Sequence, residues 1–264
     1  MMSQDLFNVS GRFALVTGAS RGLGLGFART LAKAGANLAI TSRNIDSLTE
    51  PAKELEQLGV QVEKVELDVR NQQSIKDCVA TVIEKFGQID ILMNNAGCNV
   101  RKPALDVQWD EWNLILDTNL RGVFFVAQEV ARHMAQRKYG RIVNIGSVTC
   151  VAGYAGLGPY GASRGGTKQL TMSLAHDWGE HGITVNCLAP GWFKTDQNKV
   201  MYEQEGWVDY LCERIPLGRP GAPGDLDGSL LFLVSDASQY VTGQTLLVDG
   251  GISVGAVRAT VPTK

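Results

Sequence analysis

A glycine-rich turn between an apolar run and a helical pattern constrains the fold of this chain most. The run Phe13–Val16 is short, apolar and β-prone, as in a buried parallel strand. Residues 17–24 follow it with glycines spaced Gly-x-x-x-Gly-x-Gly, and residues 25–35 then carry apolar side chains at helical spacing. Glycines here let the backbone approach a pyrophosphate at the start of the helix. Alone the spacing is weak evidence, because an ordinary tight strand-to-helix turn also uses glycines.

Strand-like and helix-like patterns alternate along the rest of the chain. Strands are predicted at 13–16, 37–41, 60–67, 89–93, 140–145, 183–188 and 245–248. Helices are predicted after the glycine turn and at 45–58, 72–86, 109–136, 160–180 and 225–235. This order indicates an α/β fold, a Rossmann-like doubly wound parallel sheet of about seven strands covered by helices on both faces. We expect a single domain spanning residues 1–264, with residues 192–217 forming a small helical lid.

Composition excludes several classes of protein. Of the 264 residues 44% are hydrophobic and 20% charged, and the net charge of −2 gives no reason to expect nucleic-acid or membrane-surface binding. The first residues lack a basic start followed by an apolar run, and the five cysteines include no Cys-x-x-Cys pair, so we expect a cytoplasmic protein with free thiols. The three histidines lack metal-ligand spacing, and we expect no metal.

The end of the second strand bears on the choice of nucleotide. Dinucleotide-binding domains that prefer NAD carry an acidic residue there, gripping the ribose 2′-hydroxyl. This chain has Ser42-Arg43 and no acid. Arg43, with Arg21 in the glycine turn, could clamp a 2′-phosphate through charge-assisted hydrogen bonds. The pattern therefore favours NADP(H), although both residues could also be solvated surface arginines.

Six motifs occur in one order and at compatible spacings. They are the glycine turn at 17–24, Asp68-Val69, the Asn-Asn-Ala-Gly loop at 94–97, Asn119, the pair Ser147 and Tyr160, and Pro190-Gly191 with Thr195. Together they resemble the short-chain dehydrogenase/reductase family over nearly the whole chain. Within the family the resemblance is to gluconate 5-dehydrogenases, 3-oxoacyl-carrier-protein reductases and tropinone-type reductases. With the arginines above, it implies cofactor contacts at Gly18, Ser20, Arg21, Gly22, Leu23, Gly24, Ser42, Arg43, Asp68, Val69, Asn95, Ala96, Gly97, Tyr160, Arg164, Pro190, Gly191 and Thr195.

The resemblance also implies catalytic roles. Hydride transfer to a ketone leaves an alkoxide that needs a proton, and Tyr160 is the candidate acid. Ser147 would donate a hydrogen bond to the same oxygen. The family supports this chemistry with an asparagine at the position of Asn119, which helps hold a proton-relay water, and with a cation one helical turn after the tyrosine.

Position 164 departs from the family's pattern, because Arg164 stands where the family has lysine. A unit charge ~4 Å from the phenol is worth ~4 kcal/mol at an effective dielectric of ~20, so charge alone permits arginine. The guanidinium is larger, planar and permanently protonated, so its fit is the open question. Two hypotheses follow: Arg164 is the cation of an enzyme with reduced or narrowed activity, or the chain is a nucleotide-binding sensor or structural subunit that turns over poorly.

Substrate identity is less strongly encoded. Arg101 and Lys102 follow the Asn-Asn-Ala-Gly loop and resemble a basic pair of gluconate 5-dehydrogenases, which favours a sugar acid; an exposed basic loop is the alternative. Trp192 begins an aromatic-rich segment that would cover the carbonyl or instead pack a subunit interface or the core. We therefore expect an NADP(H)-dependent oxidoreductase for a small polar ketone such as 5-ketogluconate. The resemblance further implies a homotetramer.

Overall fold

The computed structural model describes residues 5–195 and 199–255. Seven strands form one parallel sheet in the order β3-β2-β1-β4-β5-β6-β7. The strands are β1 (Phe13–Val16), β2 (Asn37–Ser42), β3 (Val62–Glu66), β4 (Ile91–Asn94), β5 (Gly140–Ile145), β6 (Ile183–Pro190) and β7 (Thr245–Val248). The sequence prediction of a doubly wound parallel sheet is confirmed.

Helices cover both faces of the sheet. They are α1 (Gly22–Lys33), α2 (Thr49–Glu56), α3 (Gln72–Phe86), α4 (Trp109–Leu116), α5 (Gly122–Arg137), α6 (Gly158–Trp178), α7 (Lys199–Tyr202), α8 (Trp207–Arg214) and α9 (Asp227–Val234). One hydrophobic core lies between the sheet and α1, α2 and α9, and a second lies under α3, α5 and α6. Strands buried on both faces are typically continuous apolar runs, and β1 is one.

The sheet reverses its winding direction at β1. This strand pairs with β2 on one side and with β4 on the other, so the loops that leave β1 and β4 turn to opposite faces. The carboxyl ends of β1, β4 and β5 are level, because Val16 of β1 pairs with Met93 of β4, and Asn94 of β4 pairs with Asn144 of β5. A crevice opens at such a switch point in doubly wound sheets, and ligands bind there.

The long helix predicted at 109–136 is interrupted. Residues Asp117–Arg121 form a π-helical turn between α4 and α5, and Asn119 in that turn is fully buried. A π turn adds a residue to the helical repeat and is common at functional sites. The helix predicted at 109–136 is present, and the π turn within it was not predicted because Asp117–Arg121 contains no glycine or proline to mark it.

The predicted lid segment contains two short helices, α7 and α8, between β6 and α9. Residues 196–198 lie outside the described part of the chain. Within the described residues no helix has both the length and the apolar character needed to span a bilayer.

Candidate active site

A cleft of about 550 Å³ lies at the carboxyl ends of the strands, across the switch point. Loops that follow β1, β2, β3, β4, β5 and β6 all contribute to its walls. Every residue predicted to contact a cofactor lines this cleft, and Ser147 lines it as well. Asn119, Arg101, Lys102 and Trp192 are absent from its lining.

The glycine turn is shaped by close backbone contacts. A side chain at Gly24 would collide with the carbonyl oxygen of Gly18, and a β-carbon at Gly18 would lie 3.0 Å from the Cα of Ala96. Gly22 has a φ of +58°, and a β-carbon there would meet no atom within 4 Å. The turn is therefore packed on its inner side and open at Gly22, which leaves room for a ligand against the backbone.

Hydrogen bonds tie this turn to the loop that follows β4. The hydroxyl oxygen of Thr17 accepts from the backbone N–H groups of Asn95 and Ala96, at 2.9 Å each. The side-chain amide of Asn95 donates to the carbonyl oxygens of Thr17 and Gly18, at 3.0 Å each. These bonds fix the two sides of the cleft relative to each other.

One end of the cleft is rich in arginine. Arg21 lies in the glycine turn, Arg43 follows β2, and Arg70 follows β3; all three line the cleft. Asp68 lines the same end, and its carboxylate accepts from Arg70. Hydrogen bonds from the Arg70 guanidinium hold the pKa of Asp68 below its usual value. This end therefore presents positive charge suited to phosphate groups.

Tyr160 and Ser147 lie at the other end of the cleft. Ser147 follows β5, and its hydroxyl accepts from the backbone N–H of Thr149 at 3.2 Å, which begins a short helical turn. Tyr160 is in the first turn of α6, where the Ser163 hydroxyl donates to its carbonyl oxygen at 2.7 Å. Both side chains are half-buried and face the same cleft.

Arg164 fits beside Tyr160 because Gly97 has no side chain. The arginine is 4% exposed, and its Nη1 donates to the carbonyl oxygen of Ile145 at 2.7 Å. Its central guanidinium carbon lies 5.0 Å from the centroid of the Tyr160 ring. A β-carbon at Gly97 would lie 2.5 Å from its Nη2, too close for any real contact. Missing bulk at Gly97 thus makes room for the larger cation.

Asn119 does not line the cleft, but its side chain is hydrogen-bonded to Cys98, which does. Its side-chain oxygen accepts from the N–H of Cys98 at 2.8 Å, and its amide donates to the carbonyl oxygen of Cys98 at 2.8 Å and to Ser163 at 3.2 Å. The Thr167 hydroxyl donates to the carbonyl oxygen of Asn119 at 3.1 Å. Asn119 therefore joins the loop after β4 to the helix that carries Tyr160.

The two residues of the predicted basic pair have different surroundings. Lys102 forms an ion pair with Glu111 at 2.5 Å, which lowers the pKa of that glutamate. Arg101 instead lies over the ring of Trp192, with 5.9 Å between its guanidinium carbon and the ring centroid, and burial lowers its pKa. Lys102 is therefore paired with a carboxylate of the protein itself, whereas the guanidinium of Arg101 packs against an aromatic ring.

Trp192 belongs to an aromatic cluster, defined here as Tyr154, Trp192, Trp207 and Tyr210. Edge-on contacts join Trp192 to Tyr154 at 5.6 Å and to Trp207 at 5.2 Å between ring centroids, and Trp207 stacks on Tyr210 at 5.4 Å. Such pairs add to the stability of apolar burial. The predicted lid aromatics thus pack on one another, with Arg101 at the edge of the cluster.

Sequence reasoning missed several residues that line the cleft: Arg70, Cys98, Asn99, Thr118 and Phe193. Arg70 could have been found, because it directly follows Asp68-Val69 at a strand end. The others lie on loops and a helical turn whose path only the fold fixes. Among the described residues no group of His, Cys, Asp and Glu side chains is arranged to hold a metal ion.

A dinucleotide fits this cleft on three structural grounds. The open backbone at Gly22 offers close approach, and the arginine end offers charge for phosphates. The Nε of Arg164 is buried and has no hydrogen-bond partner among the described residues, so a donor is left for a bound group.

Comparisons with known proteins agree with this geometry. The family model described as Enoyl-(Acyl carrier protein) reductase matches residues 18–253. A gluconate 5-dehydrogenase of Gluconobacter oxydans (strain 621H) is 44% identical over 254 residues, which cover 96% of this chain and 99% of the relative. A 5-keto-D-gluconate 5-reductase of Escherichia coli (strain K12) is 38% identical over 250 residues, covering 95% of this chain and 98% of the relative.

A solved structure shows the same fold. The gluconate 5-dehydrogenase from Burkholderia cenocepacia J2315, in complex with NADP and tartrate, superposes with a TM-score of 0.92 at 41% identity, covering 96% of this chain and 99% of the other. The cleft, the motif order and these likenesses lead to one conclusion. The chain belongs to the short-chain dehydrogenase/reductase family and is an oxidoreductase.

Proposed function

We propose that this protein is an NADP(H)-dependent oxidoreductase that interconverts a keto-sugar acid, such as 5-ketogluconate, and the corresponding secondary alcohol. One observation carries the proposal: a single cleft brings Tyr160 and Ser147 together with an arginine-rich end that suits a phosphorylated nucleotide. Relatives named for gluconate and 5-keto-D-gluconate, and the Burkholderia structure with NADP, support the substrate class and the cofactor.

NADP(H) is held by the residues that line the cleft. The glycine turn at 18–24 and the loop at Asn95–Gly97 would hold the pyrophosphate, and Pro190, Gly191 and Thr195 would also contact the cofactor. Asp68 and Val69 would contact the adenine, and Ser42, Arg43 and Arg21 would hold the 2′-phosphate. When bound, the nicotinamide supplies or accepts the hydride.

Proton transfer is the task of the protein's own side chains. In the reducing direction the Tyr160 hydroxyl donates its proton to the substrate oxygen as that oxygen gains negative charge. Ser147 donates a hydrogen bond to the same oxygen. Arg164, over the ring of Tyr160, favours the phenolate that remains. Asn119 keeps the helix that carries Tyr160 and the loop that bears Gly97 in register.

Arg101 does not line the cleft itself, and it is the residue proposed to hold the carboxylate end of the substrate, away from the reacting carbonyl. Its guanidinium has no carboxylate partner among the ion pairs of the described residues, whereas Lys102 is paired with Glu111. Trp192 gives Arg101 an apolar support that keeps the cation partly out of water, which strengthens its attraction for an anion. Residues 192–195 and 199–217, with the aromatic cluster, would act as the lid over the reacting carbonyl.

A second candidate is a nucleotide-binding member with weak or lost catalysis. The observation in its favour is Arg164, which holds the Ile145 carbonyl oxygen and is fixed in the wall of the cleft. A sensor or structural subunit of this kind would bind nucleotide as tightly as the enzyme and turn over no ketone.

The proposal extends to assembly and location. A homotetramer is supported by large apolar side chains left exposed on helices, among them Trp109 at 79% and Met172 at 47%. Free cysteines, of which Cys78 and Cys187 are buried with pKa values raised to about 12 by burial, suit a reducing cytoplasm. Light scattering of the purified protein measures the subunit count directly.

The testing experiment is NADPH oxidation by the purified protein with 5-ketogluconate, neutral cyclic ketones and β-ketoesters, with NADH in parallel. The proposal expects turnover with NADPH and preference for the keto-sugar acid. A folded protein that binds NADPH and oxidises it with none of the ketones would support the second candidate instead.

A further inference from the structure

Positively charged side chains outnumber negatively charged ones in the lining of the cleft. Among the described residues of its lining, four arginines face one carboxylate: Arg21, Arg43, Arg70 and Arg164 against Asp68. An acidic residue beside a phosphate-binding end is unfavourable, because like charges repel each other. The negative charge of Asp68 would therefore weaken phosphate binding unless another group offsets it.

Arg70 holds the Asp68 carboxylate by a two-bonded fork. The Nε of Arg70 donates to Oδ1 of Asp68 at 2.9 Å, and its Nη2 donates to Oδ2 at 2.6 Å. The backbone N–H of Arg70 also donates to Oδ1, at 3.0 Å. The two side chains are only 34% and 31% exposed. This bidentate geometry is the strong form of an arginine–carboxylate pair, and it engages both oxygens of the carboxylate.

Other groups reach the pair only electrostatically. Arg43 acts on Asp68, and Asp117 and Cys98 act on Arg70, without hydrogen bonds between them. Asp68 is therefore within the field of the arginine that is assigned to the 2′-phosphate. Its charge is felt at that position unless Arg70 offsets it.

We infer that Arg70 is a positioning residue for cofactor choice, which masks the charge of Asp68 and so leaves the adenosine end of the cleft positive enough to prefer the doubly charged 2′-phosphate. The inference rests on the proposed NADP(H) dependence. Arg70 acts through Asp68, and the phosphate itself is bound by Arg21 and Arg43. Asp68 stays fixed in orientation beside the adenine, while its charge is cancelled.

The test is a double-mutant cycle on nucleotide affinity, with no turnover required. Dissociation constants for NADPH and NADH are measured by fluorescence titration for the wild type, Arg70→Ala, Asp68→Asn and the double variant. Arg70→Ala is expected to raise the Kd for NADPH by about 10-fold and that for NADH by less than about 2-fold. In the double variant the ratio of the two constants is expected to return to within about 2-fold of the wild-type ratio.

Three results would overturn the inference. If the double variant binds NADPH as poorly as Arg70→Ala, then Arg70 contacts the phosphate directly. If Arg70→Ala weakens both nucleotides equally and also lowers Tm, then the pair is merely structural. If the Kd for NADPH is unchanged in Arg70→Ala, then Asp68 needs no masking.

A salt titration and the conservative variant Arg70→Lys separate the effect of the Arg70 charge from that of its two-bonded geometry. The loss in Arg70→Ala is expected to shrink at 1 M salt, where charges are screened beyond ~3 Å. Arg70→Lys keeps the charge without the fork and is expected to give an intermediate Kd. A wild-type protein that binds NADH but not NADPH would overturn the proposed cofactor itself, whereas NADPH binding without an effect of Arg70 overturns only the inference.

Discussion

The central guanidinium carbon of Arg164 lies 5.0 Å from the centroid of the Tyr160 ring, while the Nη1 of the same group donates to the Ile145 carbonyl oxygen. A cation in contact with the ring favours the negative charge that proton transfer leaves on it, by an amount on the order of 2–3 kcal/mol at an effective dielectric of ~20. We therefore expect Arg164→Met to lower kcat by about 100-fold in NADPH oxidation assays, and Arg164→Lys to keep most of the wild-type kcat. Unchanged turnover in Arg164→Met would remove Arg164 from the mechanism.

Gly97 and Arg164 should behave as a coupled pair. The alanine methyl in Gly97→Ala would lie 2.5 Å from Arg164 Nη2, so the guanidinium must move and kcat should fall at least 10-fold. Lysine has a slimmer end, so Gly97→Ala in an Arg164→Lys background should cost less than in the wild type. The kcat values of the four proteins form the measurement. Equal losses in both backgrounds would show that the close approach of Gly97 to Arg164 has no functional effect.

Arg43 should discriminate between the two nucleotides. Loss of a charged hydrogen bond to the 2′-phosphate costs ~1.5 kcal/mol or more, so Arg43→Ala should raise the Kd for NADPH at least 10-fold. The Kd for NADH should change by less than about 2-fold. Arg132→Ala is the matched control, because Arg132 is on α5, 67% exposed and away from the cleft. An equal effect of Arg43→Ala on both nucleotides would contradict the assignment.

Substitutions of the adjacent basic residues Arg101 and Lys102 should have different effects on the KM for an acidic ketone. Arg101→Ala should raise the KM for 5-ketogluconate by about 10-fold while leaving the KM of a neutral ketone unchanged, since only the acid loses an ionic contact. Lys102→Ala should leave both values within about 2-fold, because Lys102 is paired with Glu111. Steady-state kinetics on both ketones make the comparison. A larger effect from Lys102 than from Arg101 would reverse the assignment.

Asp225 provides a pH-dependent element of stability. Its carboxylate accepts from the Ala222 N–H at 2.7 Å and from Arg219, and these bonds lower its pKa to about 2. The folded pKa lies below the unfolded value of ~3.9, so the stabilisation is full above pH ~4 and is lost as the pH falls towards 2. Asp225→Ala should lower Tm at pH 7 by roughly 2–4 °C, the equivalent of a capping bond of ~1 kcal/mol.

Thermal melts from pH 7 to pH 2.5 test this expectation. The difference in Tm between wild type and Asp225→Ala should narrow as the pH drops below 4. A difference that stays constant over the whole range would mean that the charge of Asp225 contributes nothing.

Much of the fold follows from local sequence. The bounds of β1, β5, β7 and α3 match the predictions, because each is an apolar or amphipathic run closed by residues that stop it. Gly87 and Gly182 adopt φ values of 74° and 71° and close their helical segments. Here the local preference and the tertiary structure agree, and the sequence alone is sufficient.

The remaining features depend on contacts between distant parts of the chain. Lys102 could be placed on a basic loop, but its pairing with Glu111 depends on how that loop meets α4. Whether the guanidinium of Arg164 fits beside Tyr160 depends on the space at Gly97, which lies far from it in the sequence. The fork between Arg70 and Asp68 requires side-chain rotamers that no periodicity encodes.

The π turn at Asp117–Arg121 has a consequence for the length of the chain. Each residue in an α-helix advances the side chains by ~100° around the axis, and a π turn accommodates one residue more than the α-helical repeat, so one residue removed here would restore that repeat and shift the side chains of the turn itself around the axis. Asn119 would then turn away from Cys98 and Ser163. Surface loops tolerate insertions and deletions, whereas this turn does not. The number of residues in the turn, as much as their types, determines whether Asn119 reaches the loop after β4 and the helix that carries Tyr160.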